Sequence, residues 1–140
     1  MPVASAVQAA VAFTWLGLVL GISFLEAPTK FRAPGISIEL GVGIGRLVFR
    51  ALNLVEAVLA VVLLVVCVVR GAAADWWTVG ALCLVLLVGA AVLRPLMDRR
   101  VRGGETSSRM PRNLLHVGFV GLECVKAVLL VAVGVGGLVA

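Results

Sequence analysis

The sequence predicts an all-α protein, an integral membrane four-helix bundle formed as one domain over residues 1–140. Composition is the first reason. Apolar residues make up 62% of the chain and charged ones 14%, where soluble domains carry about 25% charge. The second is a mean hydropathy of +1.18, too high for a soluble globule of this size. The third is distribution: apolar residues gather into four stretches, each near the roughly 20 residues a helix needs to cross a bilayer. These observations exclude a disordered tail, a secreted disulfide scaffold and an ordinary cytosolic enzyme.

The first helix is expected at about 4–26, since no charged residue precedes Glu26. A signal peptide would open with basic residues, and here the first is Lys30, so the stretch reads as a retained helix. The second helix, about 47–69, is interrupted by Arg50 and Glu56. The third, about 76–97, opens on Trp76 and Trp77. The fourth, about 113–139, contains His116, Glu123 and Lys126.

Orientation follows from the basic residues. Lys30, Arg32, Arg46 and Arg50 flank the first connection, and Arg94, Arg99, Arg100, Arg102, Arg109 and Arg112 flank the third. That is 10 of the 12 Lys and Arg residues, and only Arg70 marks the second connection. The expectation is a multi-pass cell-membrane protein with both termini outside and loops 1–2 and 3–4 cytoplasmic. Trp76 and Trp77 then sit at the outer interface. The pI near 10.1 reflects topology and calls for no nucleic acid, although the 94–112 cluster could hold anionic lipid headgroups.

An internal repeat is suggested by a shift of 67 residues, which lays Pro28 on Pro95, Arg32 on Arg99 and Glu56 on Glu123. The pattern Glu-x-Val-x-Ala-Val-x-Leu occurs at Glu56–Leu63 and again at Glu123–Leu130. This reads as two tandem helical hairpins related by a pseudo-twofold along the membrane normal. Chance identity among apolar residues is the alternative. Gly17 with Gly21, and Gly41 with Gly45, give GxxxG spacings that permit close helix approach within the chain or to another.

Ionisable residues at mid-bilayer are costly and usually face the interior in pairs. Glu56, Glu123 and Lys126 fall there. At about 100° per residue His116 lies about 20° from Glu123. Asn113, His116, Glu123 and Lys126 thus form one stripe, and Arg46, Arg50, Asn53 and Glu56 another. Glu26 is level with their cytoplasmic ends. Two carboxylates against one ammonium leave one excess negative charge. A shared proton, a bound cation, a cationic substrate or a partner's basic residue would balance it. A structural ion-pair network that fixes helix register is the plainer reading.

Other chemistry finds little support. Cys67, Cys83 and Cys124 form no CxxC pair and read as small packing residues. One His with scattered Cys is short of a zinc or haem ligand set, and Met97 or Met110 as a haem partner has no supporting spacing. No metal and no cofactor are therefore expected. Gly41-Val-Gly-Ile-Gly45-Arg46 follows no strand, which leaves close packing or a lipid phosphate as its role. No nucleophile–base set surrounds Ser5, Ser23, Ser37, Ser107 or Ser108.

The first functional expectation is a transporter or channel-like protein. Its midplane site would be Glu56, Glu123 and Lys126, with His116, Asn53 and Arg46 on the approach. One bundle is thin for a pathway, so a homo-oligomer or a partner is expected. The alternatives are an accessory subunit of a larger membrane complex, or a membrane enzyme or lipid- or cofactor-binding protein.

Two stretches carry a family likeness. One is Trp15-Leu-Gly-x3-Gly-x2-Phe24-x2-Ala-Pro28-x2-Phe31, followed by Gly45-Arg46-x-Val-Phe49. The other is Pro95-Leu-x-Asp-Arg, a basic loop, then Leu115-His116. In these the chain resembles the transmembrane protein 205-like family of small four-helix membrane proteins, a bacterial domain of unknown function. It departs from that pattern at Arg50-Ala-Leu-Asn53. The resemblance implies the four-helix architecture and draws attention to Pro28, Phe31 and His116. It implies no reaction or substrate.

Overall fold

A computed structural model describes residues 2–71, 73–93 and 112–139, the side chains of 74, 92, 93 and 112–116 excepted. Every element among the described residues is helical. Helix α1 (Val3–Val19) runs on through a π-helical segment, Leu20–Glu26, a single α-turn, Ala27–Thr29, and a 3-10 turn, Lys30–Arg32. Helix α2 spans Ile38–Arg70, and α3 spans Ala73–Val88 and continues as a π-helical segment, Gly89–Leu93. Helix α4 spans Arg112–Val139. The basic stretch 94–111, with Met97 and Met110, lies outside the described residues, as do the side chains of Asn113 and His116.

Helix α2 starts nine residues before the expected Leu47. Hydropathy falls at a membrane edge, but a helix begins where its free N–H groups find acceptors. Ser37 supplies one, its hydroxyl accepting from the Leu40 N–H at 3.1 Å, with Glu39 in the first turn. At the other end Gly71, at φ 66°, caps α2 by donating its N–H to the Cys67 carbonyl at 2.9 Å. Only glycine takes that left-handed conformation readily, and it lets α3 fold straight back.

The helices close into a ring. Helices α1 and α3 each pack along both α2 and α4. Across the middle, α1 with α3 and α2 with α4 make little close backbone approach. The core on the axis holds Ala12, Trp15 and Val19 of α1, Leu63 and Cys67 of α2, Val79 and Leu82 of α3, and Leu130 and Val133 of α4.

The outer surface is strongly apolar. On α2 alone Leu47, Leu54, Val58, Val61, Val65, Val68 and Val69 face outward, while Glu56 is buried. Greasy outside and polar inside is a surface suited to lipid. Three helices, Val3–Arg32, Ile38–Arg70 and Val117–Val139, are long and apolar enough to cross a membrane, and Asp75–Ala91 is a shorter apolar helix. The chain thus has the helices and the surface of a membrane protein.

Lipid tails give helices no hydrophobic reason to associate, so close packing must hold them. The tightest approach is between α1 and α4. A Cβ on Gly137 would lie 2.8 Å from the Ser5 carbonyl oxygen and 2.9 Å from the Ala9 nitrogen, both backbone atoms that cannot swing aside. Gly137→Ala should therefore force the helices apart and lower stability by about 1–3 kcal/mol. Reversible unfolding in mixed micelles measures this, and an unchanged midpoint would contradict the close approach.

The two GxxxG pairs behave differently. Gly41 and Gly45 lie inside α2 and receive Phe31 and Lys30, where added Cβ atoms would fall 2.3 Å from the Phe31 ring and 2.8 Å from the Lys30 Nζ. Side chains thus pack against two glycines of that run, while Gly43 meets nothing within 4 Å. Gly17 and Gly21 meet nothing within 4 Å. Of the cysteines, all free, Cys67 is in the core, Cys83 is half-buried and Cys124 is exposed.

Candidate functional site

The three residues expected at the midplane come together, both carboxylates converging on Lys126. Its Nζ lies 2.8 Å from the Glu123 Oε1 on the same helix, one turn away, and 2.9 Å from the Glu56 Oε2 on α2. The second contact spans the ring, since α2 and α4 are not close neighbours. All three side chains are buried, Glu56 at 1% exposure, Lys126 at 3% and Glu123 at 5%.

Two neutral donors complete the cluster. The Trp15 indole N–H donates to the Glu56 Oε2 at 2.6 Å, from a side chain with no exposure. The Ser23 hydroxyl donates to the Glu123 Oε2 at 2.9 Å. Ser23 lies in the π-helical segment, and such wider turns are common where a helix re-aims side chains toward a site. Both Glu123 oxygens therefore hold a donor. On Glu56, Oε2 holds two and Oε1 is buried with none.

Of the remaining expected site residues, Glu26, Asn53 and Arg46 have described side chains. Glu26 pairs loosely with Lys30 at 3.7 Å near the end of the first helical rod. Asn53 is half-buried one turn before Glu56. Arg46 is half-buried and, ten residues before Glu56, about 15 Å away along the axis by helix rise. Asn113 and His116 lie on α4, with side chains outside the described residues.

A second polar layer lies about 10 Å along α1 from the first, by the rise from Gln8 to Trp15. Gln8 is fully buried. Its amide donates to the Val133 carbonyl at 2.9 Å and weakly to the Asp75 Oδ1 at 3.4 Å. Arg70 donates to the Gln8 Oε1 and pairs with the Asp75 Oδ2 at 2.8 Å. The Arg70–Asp75 contact is close but poorly aligned, so that Asp75 oxygen has an ion partner without a hydrogen bond. One amide thus links the four long helices among the described residues, near the α2–α3 turn. It also crosses the other diagonal, from α1 to α3.

Trp15, Ser23, Gln8 and Asp75 escaped the sequence reading as site residues. For Trp15 and Ser23 no signal was present, because a lone Trp or Ser in a charge-free helix has no pattern. For Gln8 and Asp75 there was one: they are 67 residues apart, the same offset as Glu56 and Glu123.

Among the described residues no group of three or more His, Cys, Asp or Glu side chains could hold a metal ion. No protein-family model matches this chain, and no curated protein or solved structure is significantly similar to it.

Proposed function

We propose that this chain is a small membrane transporter or channel-like protein. Its working site is the Glu56–Lys126–Glu123 cluster, which takes a proton, a cation or a small cationic solute. The observation that carries the proposal is the charge balance of that cluster. Two buried carboxylates share one ammonium, and Glu56 Oε1 has no donor. A proton, cation or cationic group must balance the excess, and one that exchanges with the aqueous phase is what coupled transport requires.

The test is flux in proteoliposomes under an imposed pH gradient, wild type against Glu123→Gln. We expect the wild type to dissipate the gradient and the variant to lose at least about tenfold of that rate, the equivalent of 1.4 kcal/mol. Equal rates would sink the proposal.

On this reading the four helices are four spans, both termini face outward, and the basic connections lie on the cytoplasmic side against anionic headgroups. The two hairpins are tandem repeats about a pseudo-twofold. Supporting this, Gln8 and Asp75 bond to each other at the offset that relates Glu56 to Glu123. The two π-helical segments, Leu20–Glu26 and Gly89–Leu93, also overlap under it and end at the same place.

A second reading is an accessory subunit, or a homo-oligomer, in which another chain covers the Gly17–Gly21 face. That face has close-approach spacing and no other described residue within 4 Å of an added Cβ. Native mass spectrometry of the purified protein separates the two readings, because a foreign subunit at fixed stoichiometry favours the accessory role.

A further inference from the structure

We propose that the ligand of this cluster is a proton and that Glu56, rather than Glu123, carries it. The inference rests on the reading of the cluster as a cation site, and it selects among the cations that reading allows.

Room decides the ligand. Glu56 is 1% exposed and its Oε1 is sealed from solvent. Its partner Trp15 belongs to the close-packed core with Ala60, Leu63 and Leu130. A metal ion needs several oxygen ligands around it, and the described residues provide no such set. The Lys126 ammonium already lies between the carboxylates and would repel a second full charge placed beside it. A solute would need volume as well. A proton needs neither volume nor a coordination shell.

Hydrogen bonding decides the residue. Each Glu123 oxygen already has a donor, one from Lys126 and one from Ser23. Protonating Oε1 would set a donor against the Lys126 ammonium, and protonating Oε2 would give up the Ser23 donation and require that hydroxyl to turn and accept. Glu56 Oε1 has none, so an O–H bond forms there without displacing a contact. Among the described residues the charged groups at Glu56 are Lys126, which pairs with it, and Glu123, which shares that ammonium, both on α4, and α1 contributes the neutral Trp15. In the exchange, hydronium from the aqueous phase gives its proton to Oε1 and leaves as water, and no electrons move. Glu56 is then neutral and Lys126 pairs with Glu123 alone, so the site has no net charge.

The test is infrared absorption of the protein in lipid nanodiscs, read at the carbonyl stretch of a protonated carboxyl group. The wild type should show a buried band that disappears as the buffer is made more alkaline. Glu56→Gln should lack it at every pH. Glu123→Gln should keep it. Replacing choline with sodium at constant pH should leave the band unchanged.

Three results would overturn the proposal: no such band in the wild type, a band that survives in Glu56→Gln and vanishes in Glu123→Gln, or a band abolished by sodium. Trp15 gives a second readout that does not depend on infrared assignment. With Trp76 and Trp77 replaced by Phe, its fluorescence should follow the same titration and lose it in Glu56→Gln. An unresponsive Trp15 in the Glu56 protein counts against the proposal. A titrating band without flux would leave this inference standing and remove transport. Flux that depends on Glu123 with no band on Glu56 would do the reverse.

Discussion

Lys126→Met is expected to cost about 3–5 kcal/mol of stability, because removing one member of a buried ion cluster leaves the others uncompensated. Lys126 is the only cation bonded to Glu56 and Glu123 among the described residues, and both are more than nine-tenths buried. Methionine keeps most of the volume, so the loss is electrostatic rather than a cavity. Reversible unfolding in mixed micelles would measure it. The companion experiment is the triple variant Lys126→Met, Glu56→Gln, Glu123→Gln. Replacing a whole buried ion cluster by neutral groups is often neutral or stabilising, so the triple should recover most of what the single loses. The effects would be far from additive, as expected for side chains in direct contact. A single variant that loses less than about 1 kcal/mol, no more than an exposed pair contributes, would mean that water reaches the cluster.

Gln8→Leu should lower stability by about 2–3 kcal/mol, the scale of hydrogen bonds to charged groups lost without replacement. The amide serves Arg70, Asp75 and the Val133 carbonyl at once from a fully buried position. Leucine fills the space and offers none of these partners. Arg70 and Asp75 would keep only their poorly aligned contact. Gln8→Glu should be worse, because it brings a carboxylate up to Asp75. The same unfolding measurement reads both variants. A Gln8→Leu protein within about 0.5 kcal/mol of wild type would show that the amide is incidental.

The sequence reading singled out the helical stretches and the trio Glu56, Glu123 and Lys126 because both rest on strong signals. Long apolar runs are rare outside membranes, and three ionisable residues inside such runs stand out at once. The start of α2 was hidden because hydropathy senses the bilayer, whereas Ser37 and Glu39 obey backbone hydrogen bonding. The π-helical segment that places Ser23 has no residue signature. Trp15 was visible only as one element of a family likeness, and its bond to Glu56 depends on which faces of α1 and α2 meet. The close approach of α1 and α4 was missed for a related reason. It uses Ser5, Ala9 and Gly137, which are far apart in sequence, while the more obvious Gly17–Gly21 pair turns outward.

The two polar layers have a mechanical consequence. A ring of four rods held only along its sides is like a square frame hinged at the corners, which can skew into a rhombus while every side keeps its length. Diagonal braces prevent this, and here the braces are the polar contacts: Gln8 to Asp75 across one diagonal, Glu56 to Lys126 across the other. They sit at different depths. Slackening the brace at Glu56 would let the frame skew at mid-depth while the far end, held through Gln8, kept its shape.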